Sequence, residues 1–84
     1  MNILLSSRAA KELDKLPDPL ARKIVDDLKQ LVTNPLPAQS KKLKGHQNYR
    51  LRIGSYRAIY TIDTKSRQIT ILRIADRKTI YRNF

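Results

Sequence analysis

The stretch Tyr49-Arg50-Leu51-Arg52-Ile53-Gly54-Ser55-Tyr56-Arg57-Ala58-Ile59-Tyr60 decides the architecture. Up to Ile53, the apolar residues Tyr49, Leu51 and Ile53 alternate with Arg50 and Arg52, the period of a strand with one buried face. Gly54-Ser55 is a two-residue turn with glycine first, as a type II′ hairpin requires. Beyond it, Tyr56, Ala58, Tyr60 and Ile62 alternate with Arg57, Ile59 and Thr61. The turn sets the register: Ile53 opposite Tyr56, Arg52 opposite Arg57, Leu51 opposite Ala58 and Tyr49 opposite Tyr60. The apolar partners then share one face, and Arg50, Arg52 and Arg57 share the other.

C-terminal to the hairpin, a turn around residues 63–67 leads into a third strand from Gln68 to about Ala75. Strict alternation puts Ile69, Ile71 and Arg73 on one face, with Thr70, Leu72 and Ile74 on the other. Arg77 then points away from the arginine face, unless a bulge or the end of the strand near Ala75-Asp76 turns it. N-terminal to the hairpin, residues 34–48 read as a loop carrying Lys41, Lys42 and Lys44. Before that loop the period is helical: Leu20, Ile24, Leu28 and Leu31 form one apolar stripe, closed by Asn34-Pro35. Asp18 is the expected cap of this helix, with Pro19 at its first position. An earlier helix runs from a cap at Ser6 or Ser7 to Leu16, where Pro17 ends it. Residues 2–5 read as a short strand. The expected fold is α+β: a small antiparallel sheet with an N-terminal helix hairpin packed on one face and the other face open. It forms a single domain over residues 1–84.

Composition narrows the chemistry. The chain has no cysteine and a single histidine, His46, which excludes thiolate metal sites, cysteine nucleophiles and multi-histidine metal centres. No cofactor is expected. The apolar stretch Ile3-Leu4-Leu5 is too short for a signal peptide or a membrane span, so a cytoplasmic protein is expected. The formal net charge is +11. Residues 1–40 hold six basic and five acidic residues, whereas residues 41–84 hold twelve basic and two acidic. A basic half built of strands points to a polyanion, above all nucleic acid. Arg52 opposite Arg57 sharpens this, because like charges facing each other on a sheet are destabilising and a phosphate between them compensates.

Lys42-Leu43-Lys44-Gly45, the hairpin from Tyr49 to Tyr60, and Arg73-Ile74-Ala75-Asp76-Arg77-Lys78-Thr79-Ile80-Tyr81-Arg82 together resemble the RelE/ParE superfamily of toxins, most closely its RelE branch. The resemblance covers essentially the whole chain, including Lys11-Glu12-Leu13, Leu16-Pro17 and Asn34-Pro35. It implies a toxin of a toxin–antitoxin pair that enters the ribosomal A site and cuts the messenger RNA there. The ribose 2′-hydroxyl is the nucleophile, so the endoribonuclease chemistry needs no metal. It also implies a RelB-like antitoxin as partner in a hetero-oligomer. The family's functional positions fall on Arg50, Arg52, Arg57, Arg77 and Tyr81, with Lys41, Lys42 and Lys44 as RNA contacts. Several family nucleases have lysine where this chain has Arg50 and Arg52, and many have histidine where it has Asp76. Arginine does not lose its proton, so Arg50 and Arg52 bind and stabilise but do not act as bases. Tyr81 is the expected proton carrier, with stacking on a base or filling a groove as its alternative roles. Asp76 either pairs with Arg77 or serves as a base. His46 matches no family position. Two other functions fit the same charge pattern: a ParE-like inhibitor of DNA gyrase without nuclease activity, and a non-catalytic basic RNA-binding module.

Overall fold

The computed structural model describes residues 1–43 and 47–80. The elements, in chain order, are β1 (Asn2–Leu5), α1 (Ser7–Asp14), α2 (Asp18–Lys29), β2 (Ser40–Lys42), β3 (Asn48–Ile53), β4 (Tyr56–Asp63) and β5 (Gln68–Asp76). The strands form one sheet in the order β1-β5-β4-β3-β2.

Ser6 caps α1 by accepting a hydrogen bond from the Ala9 amide at 3.0 Å. The helix closes at Asp14, two residues before the expected end, because Pro17 keeps Leu16 out of helical geometry. The cap of α2 is Pro17 rather than Asp18. The Pro17 carbonyl accepts the Ala21 amide at 2.9 Å, so the ladder starts one residue earlier and Asp18 lies inside the first turn. There its carboxylate complements the helix dipole instead of capping it. A short 3-10 turn, Gln30–Val32, extends α2 and brings Leu31 into the core.

The hairpin has the register set by its turn: Ile53 with Tyr56, Arg52 with Arg57, Leu51 with Ala58 and Tyr49 with Tyr60. Gly54 has φ +60°, while Ser55 keeps a negative φ, which is the type II′ pattern. One face of the sheet meets the helices. Ala9, Ile24, Leu28 and Leu31 pack there with Leu51, Ala58, Tyr60, Ile69, Ile71 and Ile74. The Tyr60 hydroxyl donates to the Pro35 carbonyl at 2.7 Å, and its ring stacks on Tyr49 with centroids 5.6 Å apart.

The sheet departs from the expected one in four respects. It is mixed, because β1 pairs in parallel with β5, from Asn2 with Gln68 to Leu5 with Ile71. It has five strands rather than four, because Ser40–Lys42 in the expected loop pairs antiparallel with β3. Alternation in β5 breaks well before Ala75. Ile59 faces Arg73 but Tyr60 faces Ile71, which leaves Leu72 as an extra residue. Finally, the face away from the helices is not fully open. Ile59, Arg73 and Ile80 are buried outside the main core.

The bulge is anchored from outside the sheet. The Ser6 amide donates to the Ile71 carbonyl at 2.8 Å, and the Ser6 hydroxyl donates to the Leu72 carbonyl at 2.9 Å. The same serine therefore starts α1 and fixes the bulge. Beyond it β1 no longer pairs with β5, and the Ile74 amide is satisfied by the Glu12 carboxylate at 2.8 Å.

Candidate nucleic-acid interface

Residues directly opposite in a sheet project to the same face. One row across the face away from the helices is therefore Lys41, Arg50, Ile59 and Arg73, one from each of four strands. The next row is Arg52, Arg57 and Ala75. Two like-charged pairs stand face to face, Lys41 with Arg50 and Arg52 with Arg57. Folding alone does not favour either pair.

The bulge completes the cluster. By shifting parity at Leu72, it moves Ile74 to the core and Arg73 and Ala75 to the arginine face. Arg77 is next in that parity, and its amide donates to the Ser55 carbonyl at the hairpin tip at 3.0 Å. The Arg57 guanidinium curls over the same tip, donating from Nη1 to the carbonyls of Gly54 and Tyr56, both at 2.9 Å. The two arginines thus meet at one turn. Arg50 is half-buried, and its Nε makes no hydrogen bond among the described residues. Arg52 and Arg77 are exposed.

Of the loop lysines, Lys41 joins this face. Lys42 does not: it pairs with Tyr49 and so lies on the helix side, at the sheet edge. Lys44, Tyr81 and His46 lie outside the described residues.

Asp76 does not pair with Arg77. Its Oδ1 accepts the amides of Lys78 and Thr79 at 2.9 and 3.0 Å and the Thr79 hydroxyl at 3.1 Å. These bonds, the Thr79 amide first, hold its pKa below the usual carboxylate value, which makes it a weak base. Asp76 therefore builds the turn that presents Arg77. Sequence reasoning missed Arg73 and Glu12. The Arg73 Nη2 donates to Glu12 at 3.0 Å, and its Nη1 donates to the Ile80 carbonyl at 2.8 Å. A charged residue in the middle of an apolar strand was the available signal.

Residues 3–81 match the family profile described as the ParE toxin of the type II toxin–antitoxin system, parDE. The chain belongs to this toxin family. Within it, the chain is 35% identical to a protein of Methanocaldococcus jannaschii that carries the toxin name RelE1, covering 98% of this chain and 96% of that one. Its fold matches the RelBE2 toxin–antitoxin complex of Mycobacterium tuberculosis with a TM-score of 0.81, at 28% identity over 90% of this chain and 96% of that one. The archaeal RelE–RelB complex of Pyrococcus horikoshii gives 0.80, at 29% identity over 90% and 93%. Within the RelE/ParE toxins this chain is therefore RelE-like.

Proposed function

We propose that this toxin inhibits translation by cutting messenger RNA in the ribosomal A site. Supporting the reading above all is the Arg52–Arg57 pair, two cations set directly opposite each other on the sheet face away from the helices. Beside it lie Arg50 and Lys41, with Arg77 at the hairpin tip. Such an array suits a phosphate passing to a phosphorane. The ribose 2′-oxygen loses its proton, attacks the adjacent phosphorus, and expels the 5′-oxygen of the next nucleotide, which takes up a proton. The products are a 2′,3′-cyclic phosphate and a 5′-hydroxyl. Arg57 and Arg77 stabilise the added charge, and Arg50 and Arg52 hold the flanking backbone. Tyr81 carries a proton, and Lys41, Lys42 and Lys44 contact RNA outside the reacting phosphate. No cofactor takes part. A RelB-like antitoxin is the partner that silences the toxin, as the RelB–RelE complexes among its structural relatives suggest. The site of action is the cytoplasm.

Expression without antitoxin should arrest growth and create new 5′ ends within translated messages. Tyr81→Phe should lower cleavage by about 10²–10⁴-fold with little change in ribosome affinity. Intact messages during arrest would refute the reading. The second reading, a gyrase inhibitor without nuclease activity, is favoured by the match to the ParE toxin profile. It predicts DNA breaks that depend on gyrase, and no new message ends.

A further inference from the structure

We propose that Arg73 and Glu12 are positioning residues that set the turn carrying Arg77 against the arginine face. The inference rests on the reading of Arg77 as a phosphate-stabilising residue. Arg73 is only 7% exposed, so it is not itself a surface contact. Its guanidinium holds the Ile80 carbonyl at 2.8 Å with Nη1 and Glu12 at 3.0 Å with Nη2. The other oxygen of Glu12 accepts the Ile74 amide at 2.8 Å. One planar fork thus joins α1, the edge of β5 and the far end of the 76–80 turn. The near end of that turn is held separately, by the Arg77 amide on Ser55 and by the Asp76 carboxylate. Arg77 is thus held at its own amide, and the anchor at Ile80 sets the course of the turn that leaves it. A buried ion pair is a poor way to gain stability, since well-packed apolar residues of similar volume do as well or better. It does supply direction: a guanidinium presents its donors in a fixed fork. Here one arm of the fork is aimed at the Ile80 carbonyl, three residues beyond Arg77.

The test uses Glu12→Gln and Arg73→Lys, each alone and with Arg77→Ala. The readouts are message cleavage on purified ribosomes and amide hydrogen exchange of the free toxin. In Glu12→Gln the side chain keeps its shape but turns an N–H₂ toward a donor. In Arg73→Lys a single ammonium cannot hold both partners of the guanidinium. The amides of Thr79 and Ile80 should exchange about 10-fold faster or more in each variant, while those of Leu51 and Ala58 keep their protection. The maximal cleavage rate should fall by about 10–100-fold, with half-saturating ribosome concentration within about twofold. In the Arg77→Ala background the same substitutions should change the rate less than about twofold, because their effect runs through Arg77. Equal losses in both backgrounds, or unchanged exchange at Thr79 and Ile80, would overturn the proposal. So would loss of protection throughout the sheet in both variants, which would make the pair a determinant of folding. If the wild type cleaves no message, the reading of the site fails. The exchange pattern then still decides whether the pair positions the turn.

Discussion

Arg52 should be a residue whose removal stabilises the protein and weakens its function. It is exposed and directly opposite Arg57. A like-charged pair at such a position costs about 0.2–1 kcal/mol. Lys41 opposite Arg50 adds to the repulsion from the adjacent row. Arg52→Gln keeps the side chain long and polar while removing one charge. The hydrogen bond from the Arg52 amide to the Gln39 carbonyl at 3.2 Å is made by the backbone and survives the change. Urea unfolding in low salt should show a gain of about 0.5 kcal/mol. In a domain of this size that is about 2–4 °C in melting temperature. At 1 M salt, where the Debye length is about 3 Å, most of the gain should vanish. Arg22→Gln, on α2, controls for the overall charge and should change stability little. In the same preparation, affinity for single-stranded RNA should fall, and the salt slope should flatten by about 0.7 for the lost phosphate contact. A loss of stability in low salt, or a gain that ignores salt, would show that the arginines are not held against their mutual repulsion.

Three further outcomes follow from the same geometry. Arg67 has φ +55°, the left-handed region, so Arg67→Gly should raise stability by about 1 kcal/mol by thermal or urea unfolding. Ile24 is fully buried in the core, and Ile24→Ala should cost about 2–5 kcal/mol by urea unfolding, enough to threaten a domain this small. Asp63 and Asp76 both have folded pKa values below the ordinary 3.8, so each stabilises the fold above that pH. That contribution is lost as pH falls through the folded value. Asp76→Asn should therefore flatten the acid limb of the stability–pH profile, and it should leave cleavage largely intact because the Asn Oδ1 still accepts the Lys78 and Thr79 amides that shape the turn.

The hairpin was legible because its turn chemistry and its alternation agree. Gly54-Ser55 admits one register, and that register alone gathers Arg50, Arg52 and Arg57 on one face. The apolar stripe of α2 was equally plain, since Ile24, Leu28 and Leu31 recur at helical spacing and all three are buried. What escaped depends on contacts far apart in sequence. The parallel pairing of residues 2–5 with 68–71 leaves no trace in either segment alone. The bulge at Leu72 is imposed by Ser6, more than sixty residues away, and without it alternation puts Arg73 on the wrong face. Ser40–Lys42 is too short and too polar to show a period of its own. Its pairing nonetheless separates Lys41 from Lys42, one to each face. Asp76 beside Arg77 looks like an ion pair in sequence, but the backbone amides of Lys78 and Thr79 are nearer partners once the chain turns.

The central claim, that the arginine face of this RelE-like toxin is a site for RNA cleavage, is tested most directly with purified toxin, programmed ribosomes and a message of known sequence. The wild type should cut the message within the A-site codon, leaving a 2′,3′-cyclic phosphate and a 5′-hydroxyl. Arg57→Ala and Arg77→Ala should each lower the rate by about 10²–10³-fold, the cost of removing one preorganised donor to developing charge. Both should unfold at or near the wild-type temperature. A message left whole by the wild type, or cut as fast by both variants, would contradict the account.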